Sequence, residues 1–193
     1  RRPYTLDTHT ALLAAQRDGL AVILSDVVET ALTGGAERKR VRIIRAAPGT
    51  GKTTMAADAA NKAAAAGLRV AIVAPNHAHA KREWAERLTT PFIWQPRKAL
   101  CTCFTAQDLE EWGRKGYAAP PCTDPDCAYR RQKQAAEGRQ VIFQYAHLGL
   151  RGGELLEGYD LVIVDESPAA ALLQETAVSL GEMESLARRD ALA

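Results

Sequence analysis

The residues best equipped for chemistry are Ala46-Ala47-Pro48-Gly49-Thr50-Gly51-Lys52-Thr53-Thr54, a glycine-rich loop carrying a lysine and threonines. Such a loop takes a polyanion. Gly49 and Gly51 tolerate positive φ and carry no Cβ, so backbone N–H groups can close around phosphate oxygens. A helix opening at the loop adds unpaired N–H groups and the positive end of its dipole. Lys52 brings a point charge to the β- and γ-phosphates, and the Thr53 hydroxyl is placed to ligate Mg²⁺. Pro48 to Thr54 thus form the expected ATP-binding P-loop. Ala46 stands where the usual pattern has glycine, at the strand end and away from the phosphate cradle.

Two further groups have chemistry-bearing spacing. The apolar run Leu161-Val162-Ile163-Val164 reads as a strand buried on both faces, and it ends in Asp165-Glu166. A carboxylate at the end of a core strand beside a P-loop can hold the Mg²⁺ water shell, and the adjacent Glu166 can orient or deprotonate water. Ser167-Pro168 also reads as an N-cap followed by proline at the first helical position, so the acidic pair can serve that helix as well. All four cysteines, Cys101, Cys103, Cys122 and Cys127, fall in one segment. In a cytosolic protein that clustering points to metal, either tetrahedral zinc or an iron–sulfur cluster. Buried free thiols or a redox disulfide are the alternatives.

These residues need elements to position them. A helix is expected over 8–32, a strand over 41–46, a helix over 52–66 stopping at Gly67, and a strand over 69–74 ending at Pro75. A helix carrying Trp84 and Leu88 follows, with Trp84 in the core. Residues 91–126 show little periodicity. A helix over 127–137 precedes a strand at 141–143, a short turn near 146–150, the Asp165 strand and further helices. Strands alternating with helices predict an α/β fold, a RecA-like parallel sheet with right-handed crossovers. Residues 1–40 form an N-terminal helical segment in this reading. Residues 41–193 form the P-loop domain, with a cysteine-rich insertion at about 95–138.

Composition narrows the class. The chain has 193 residues, 47% of them hydrophobic, and a net charge of +2, so bulk charge does not announce nucleic acid. No apolar stretch approaches membrane-spanning length, and no signal-peptide segment opens the chain, so a cytoplasmic protein without a membrane partner is expected. It begins with Arg and stops soon after the acidic motif, which reads as a fragment.

The order of P-loop, Val73-Ala74-Pro75-Asn76, four cysteines, Tyr145-Ala146-His147-Leu148 and Val164-Asp165-Glu166 resembles the first motor domain of superfamily 2 DNA helicases. The iron–sulfur helicases are the nearest branch, and helicase modules of phage and mobile-element primase–helicases are similar too. The similarity spans roughly residues 40–170, by motif order. It implies that Lys52, Asp165 and Glu166 are catalytic and that Thr53 and Asp165 hold Mg²⁺. It also implies a metal, zinc or a 4Fe-4S cluster, on the four cysteines. Asn76 and His77, with Tyr145 and His147, would lie near single-stranded or forked DNA. Trp94, Phe104, Trp112 and Tyr145 are the aromatics available for base stacking; His77, His79 and His147 also read as ordinary surface or core histidines. Where the family often has Ala-His after Asp-Glu, this chain has Ser167-Pro168, and Gln16 is a poor match to an adenine-reading glutamine. A small-molecule P-loop kinase and a non-catalytic metal-bearing nucleic-acid-binding module are the alternative readings. The resemblance places the catalytic cleft between two lobes, and the second lobe lies outside these residues. The isolated chain is therefore expected to bind ATP weakly and hydrolyse it slowly; steady-state turnover at ordinary helicase rates would refute that.

Overall fold

A short parallel sheet frames the molecule in a computed structural model that describes residues 6–33, 41–114, 121–148 and 155–166. Its strands are β1 (Val70–Ala74), β2 (Pro91–Ile93), β3 (Gln140–Gln144) and β4 (Leu161–Val164). They lie in the order β2-β3-β1-β4, and every neighbouring pair is parallel. The helices are α1 (Leu6–Leu32), α2 (Lys52–Ala65), α3 (His77–His79), α4 (Arg97–Leu100), α5 (Ala106–Arg114) and α6 (Ala128–Ala135). A π-helical turn, Ala80–Ala85, continues α3, and a 3₁₀ turn, Tyr145–His147, follows β3. No helix of the described residues is long and apolar enough to cross a membrane.

Strand alternation divides the core. Ile72 pairs with Ile142 on one side and Ile163 on the other, so the three form a row on one face. That face packs with Ala57, Ala60 and Ala63 of α2 and with Trp84 and Leu88. Alanines let the α2 backbone lie close to the sheet and leave room for α1 on α2. Leu13, Gln16, Leu20, Leu24 and Val27 make a stripe of lower exposure along α1 at helical spacing. The opposite sheet face packs Ala71, Val141 and Phe143 with Trp94 and Ala136.

Three expectations are corrected. Residues 41–46 form no strand: β1 has both edges taken by β3 and β4, the run joins neither outer edge of the sheet, and Val41 and Ile43 are each 84% exposed. Strand β4 is not buried on both faces. It is the sheet edge among the described residues, and Val162 and Val164 are 37% and 42% exposed. Residues 91–126 are more regular than their composition suggests, since they hold β2, α4 and α5. Those pieces are three, four and nine residues long, too short for periodicity to reveal. The Gly34-Gly35 stop, Ser167-Pro168 and the final helices lie outside the described residues.

At the sheet's N-terminal edge, buried Gln140 joins three elements. Its Oε1 accepts the Thr90 N–H at 3.0 Å, and its Nε2 donates to Asn61 Oδ1 at 2.9 Å. Asn61 in turn accepts the Thr89 N–H and donates to the Arg87 carbonyl. Gln140→Leu keeps the volume but strands these partners, so urea unfolding should show a loss of about 1–3 kcal/mol. A loss under about 0.5 kcal/mol would show the network to be dispensable.

Candidate nucleotide site and cysteine cluster

Topology brings the predicted site segments to one rim. Helix α2 returns to β1 through residues 66–69, so its C-terminus lies at the sheet's N-terminal edge. Its 14 residues span about 21 Å and carry its N-terminus back to the other edge. The P-loop therefore opens where β1, β3 and β4 end, at Pro75-Asn76, Tyr145 and Asp165-Glu166. The crevice outside the carboxyl ends of the strands is where open parallel sheets bind ligands.

The loop is built for an anion. Gly49 and Gly51 stand at φ 81° and 77°, where a Cβ would be strained. Gly51 caps α2 with no side-chain hydrogen bond, and no acidic residue occupies the first turn, so the helix end is left for a ligand. Buried Thr50 closes the turn, its N–H and hydroxyl both reaching the Ala47 carbonyl, at 3.4 and 3.0 Å. Lys52 Nζ donates to the Ala46 and Ala47 carbonyls, each at 3.0 Å. Thr53 is half-buried, and Pro48 and Thr54 are exposed. From α1, Gln16 Oε1 accepts the Ala47 N–H at 3.2 Å and so touches the loop backbone. The sequence did carry a signal for Gln16: it is the polar residue on the otherwise apolar inner stripe of α1.

Asp165 is the most connected residue of the rim. Its Oδ2 accepts His79 Nε2–H at 2.8 Å and Trp84 Nε1–H at 2.7 Å, its N–H donates to the Val73 carbonyl, and its own carbonyl accepts the Tyr145 hydroxyl. Oδ1 makes no hydrogen bond among the described residues. His79 and Trp84 are five positions apart, which an α-helix would splay. The π-helical turn bonds i to i+5, so residues at that spacing stack on one face and reach the same oxygen. Sequence reasoning placed Trp84 in the core and read His79 as ordinary, missing this contact because nothing in a single sequence announces a π turn. Glu166 follows at φ 63°, an unfavourable backbone for a non-glycine residue.

The remaining rim residues divide by exposure. Asn76 Oδ1 accepts the His79 N–H as the cap of α3, and His77 is exposed. Tyr145 and His147 are each only 8% exposed. Burial, with the Glu166 and Asp165 carboxylates adding, pushes the Tyr145 phenol up to about 12, so it stays a donor. Burial also holds the His147 imidazole below its usual range, and its Nδ1 accepts the Gln144 N–H. Among the aromatics, Trp94 is buried against Phe92 and Phe143, while Phe104 and Trp112 pair edge to face.

Away from the P-loop strands, the cysteines converge. The ligand atoms of Cys101, Cys103, Cys122 and Cys127 all lie within 4.8 Å of one another. Cys101 follows α4, and Cys127 is the residue before α6. Helix α6 is fastened to the end of β2 by a reciprocal pair, Gln132 Oε1 accepting the Gln95 N–H and Gln132 Nε2 donating to the Gln95 carbonyl. Crowded thiols divide their protons unequally. The Thr102 backbone N–H, opposed by burial, helps draw Cys127 down to about 6; burial and bonds to Cys101 and Cys127 push Cys122 up to about 12.

A glycine cradle at an uncapped helix end, set at the carboxyl rim of a parallel sheet, defines a P-loop NTPase, a class that uses nucleotide and Mg²⁺. The family model for the AAA domain matches residues 25–179, and the chain belongs to that family of P-loop NTPases, which is associated with helicase-like AAA domains. No curated protein and no solved structure matches the chain.

The Trp84–Asp165 bond can be weighed directly. Trp84→Phe keeps most of the buried ring and removes the N–H, so unfolding free energy should fall by about 1.5–3 kcal/mol, the range for hydrogen bonds to charged groups. Asp165→Asn in the Trp84→Phe background should then cost clearly less than in the wild type; equal costs would show that the two side chains are not coupled.

Proposed function

We propose that this chain is an ATP-hydrolysing motor lobe of helicase type that acts on DNA together with a second lobe. The observation that carries the reading is the shared rim, where the uncapped P-loop helix opens at the same edge as the end of the Asp165 strand. The family's association with helicase-like domains and the motif order support it.

In this reading the P-loop amides from Gly49 to Thr53 grip the β- and γ-phosphates. Lys52 exchanges its two carbonyl partners for phosphate oxygens, and the charge it brings stabilises the transferring phosphoryl group. Thr53 and Asp165 would hold Mg²⁺, which supplies charge neutralisation on the phosphates when bound; Asp165 Oδ1, without a hydrogen bond among the described residues, and the acid-free first turn of α2 suit that role. Glu166 takes a proton from the water whose oxygen attacks the γ-phosphorus, and ADP leaves. Its backbone stands at φ 63°, a left-handed conformation of the kind found at functional sites.

DNA follows from the resemblance, with Asn76 and His77 at the exposed end of β1. Tyr145 and His147, being buried, would act by shaping their loop. Hydrolysis at useful rates needs a cation from the second lobe to complete the site.

The test uses the full-length protein. ATPase activity should rise on adding single-stranded DNA, and the stimulation should weaken steeply with salt. Lys52→Ala should lower turnover by about 10²–10³-fold. Nucleotide hydrolysis indifferent to DNA but dependent on a small phosphate acceptor would replace the motor with a kinase. Undiminished ATP affinity in Lys52→Ala would mean that the loop is not the binding site.

A further inference from the structure

Four sulfurs on separate turns of chain have converged to a spacing that carries information about what they hold. Cys101 and Cys122 are 3.4 Å apart, Cys122 and Cys127 3.8 Å, and Cys101 and Cys127 3.9 Å, while Cys103 keeps the whole set within 4.8 Å. A tetrahedral ion with Zn–S bonds of about 2.3 Å sets its ligand sulfurs about 3.8 Å apart. An iron–sulfur cluster takes its thiolates on two or four irons separated by sulfide, so cysteine sulfurs on different irons must stand farther apart than one ion's coordination sphere allows. No pair here has that separation.

One basic side chain sits on the cluster. Arg97, at the start of α4, sets Nη2 3.2 Å from Cys122 Sγ. Its guanidinium lies over the Phe104 ring at 5.1 Å and near Tyr129 at 5.9 Å. A zinc ion with four thiolates has a net charge of about −2, and a guanidinium held against the sulfurs offsets part of it.

We infer that Cys101, Cys103, Cys122 and Cys127 hold one tetrahedral zinc ion and no iron–sulfur cluster, with Arg97 as the positioning cation that donates to the sulfurs. Four protein ligands close the coordination sphere, so the ion is structural. It joins the chain after α4 to the start of α6, and α6 is already pinned to β2 through Gln132. Binding energy at the ion thereby becomes folding energy for a segment whose helices are short. This inference stands apart from the motor reading, because it concerns a different set of residues and a different readout.

The test is metal analysis of the full-length protein purified anaerobically. One zinc per chain with no acid-labile sulfide is expected, and replacement by Co²⁺ should give the visible bands of a tetrahedral thiolate site. Iron with labile sulfide overturns the inference, as does metal-free protein with four freely titrating thiols. Arg97→Met should keep the stoichiometry but lose zinc to a competing chelator at about 10–100-fold weaker affinity. Arg97→Lys keeps the charge and should fall between the two, which serves if Arg97→Met does not fold. Wild-type affinity in both variants would remove Arg97 from the site. DNA-stimulated ATPase in the same preparations reports on the motor reading alone.

Discussion

Strand β1 is hydrogen-bonded along both edges and buried on both faces, and the site depends on that confinement. A parallel strand with two parallel neighbours fixes one direction for all three. Their carboxyl ends must then emerge together, and each delivers a different polar segment to the same rim: Asn76 and His77 from β1, Tyr145 from β3, Asp165 and Glu166 from β4. The short return from α2 into β1 adds the P-loop to the set. The chemistry of the rim is therefore a consequence of pairing direction. It needs no long-range side-chain contact to assemble.

Side-chain contacts then fix the rim's details. One carboxylate oxygen of Asp165 accepts two N–H groups, from His79 and from Trp84. That pair of hydrogen bonds restricts the carboxylate's rotation, while Oδ1 makes no hydrogen bond among the described residues. Trp84 does two jobs, since its ring fills the core beneath α2 and its N–H reaches the rim. A buried indole with its N–H satisfied is a rigid tether between packing and site. The π turn makes the tether possible by overlaying residues five apart.

Much of this was legible in the sequence because the relevant signals are local. Glycine, lysine and threonine at fixed spacing define the P-loop, and Val70–Ala74 and residues 141–143 are apolar runs punctuated by Pro75 and Gly138. The same logic overreached where pairing decides. Val41, Ile43 and Ile44 look like a strand, but apolar residues make a strand only where a neighbour pairs with them, and this run pairs with none of the four strands. Val162 and Val164 are apolar for a similar reason, yet they lie on an edge. The cysteine cluster was legible as a group, while its sulfur spacing was not, because that depends on how α4 and α6 close upon each other. Gln16 and His79 needed the packing of α1 and the π turn before their partners could be seen.

A series of hydrogen bonds runs between the rim and the cysteine cluster on the β2–β3 side of the sheet. Gln132 ties α6 to Gln95 just beyond β2, and Gln144 at the end of β3 donates through Nε2 to the carbonyl of Trp94 at the same end of β2. Gln144 also gives its own N–H to His147, in the turn that carries Tyr145, and Tyr145 bonds the Asp165 carbonyl. Each link in that series is a hydrogen bond between a packed side chain and backbone, and the polar groups of Gln132, Gln144 and His147 are largely out of solvent. Bonds of that kind hold their geometry because breaking one strands a buried donor or acceptor. That side of the sheet is packed, whereas Val162 and Val164 on the edge strand β4 are 37% and 42% exposed. Hydrogen bonds thus run from the cysteine segment to the Asp165 rim on the β2–β3 side of the sheet, while β4 forms the opposite edge among the described residues.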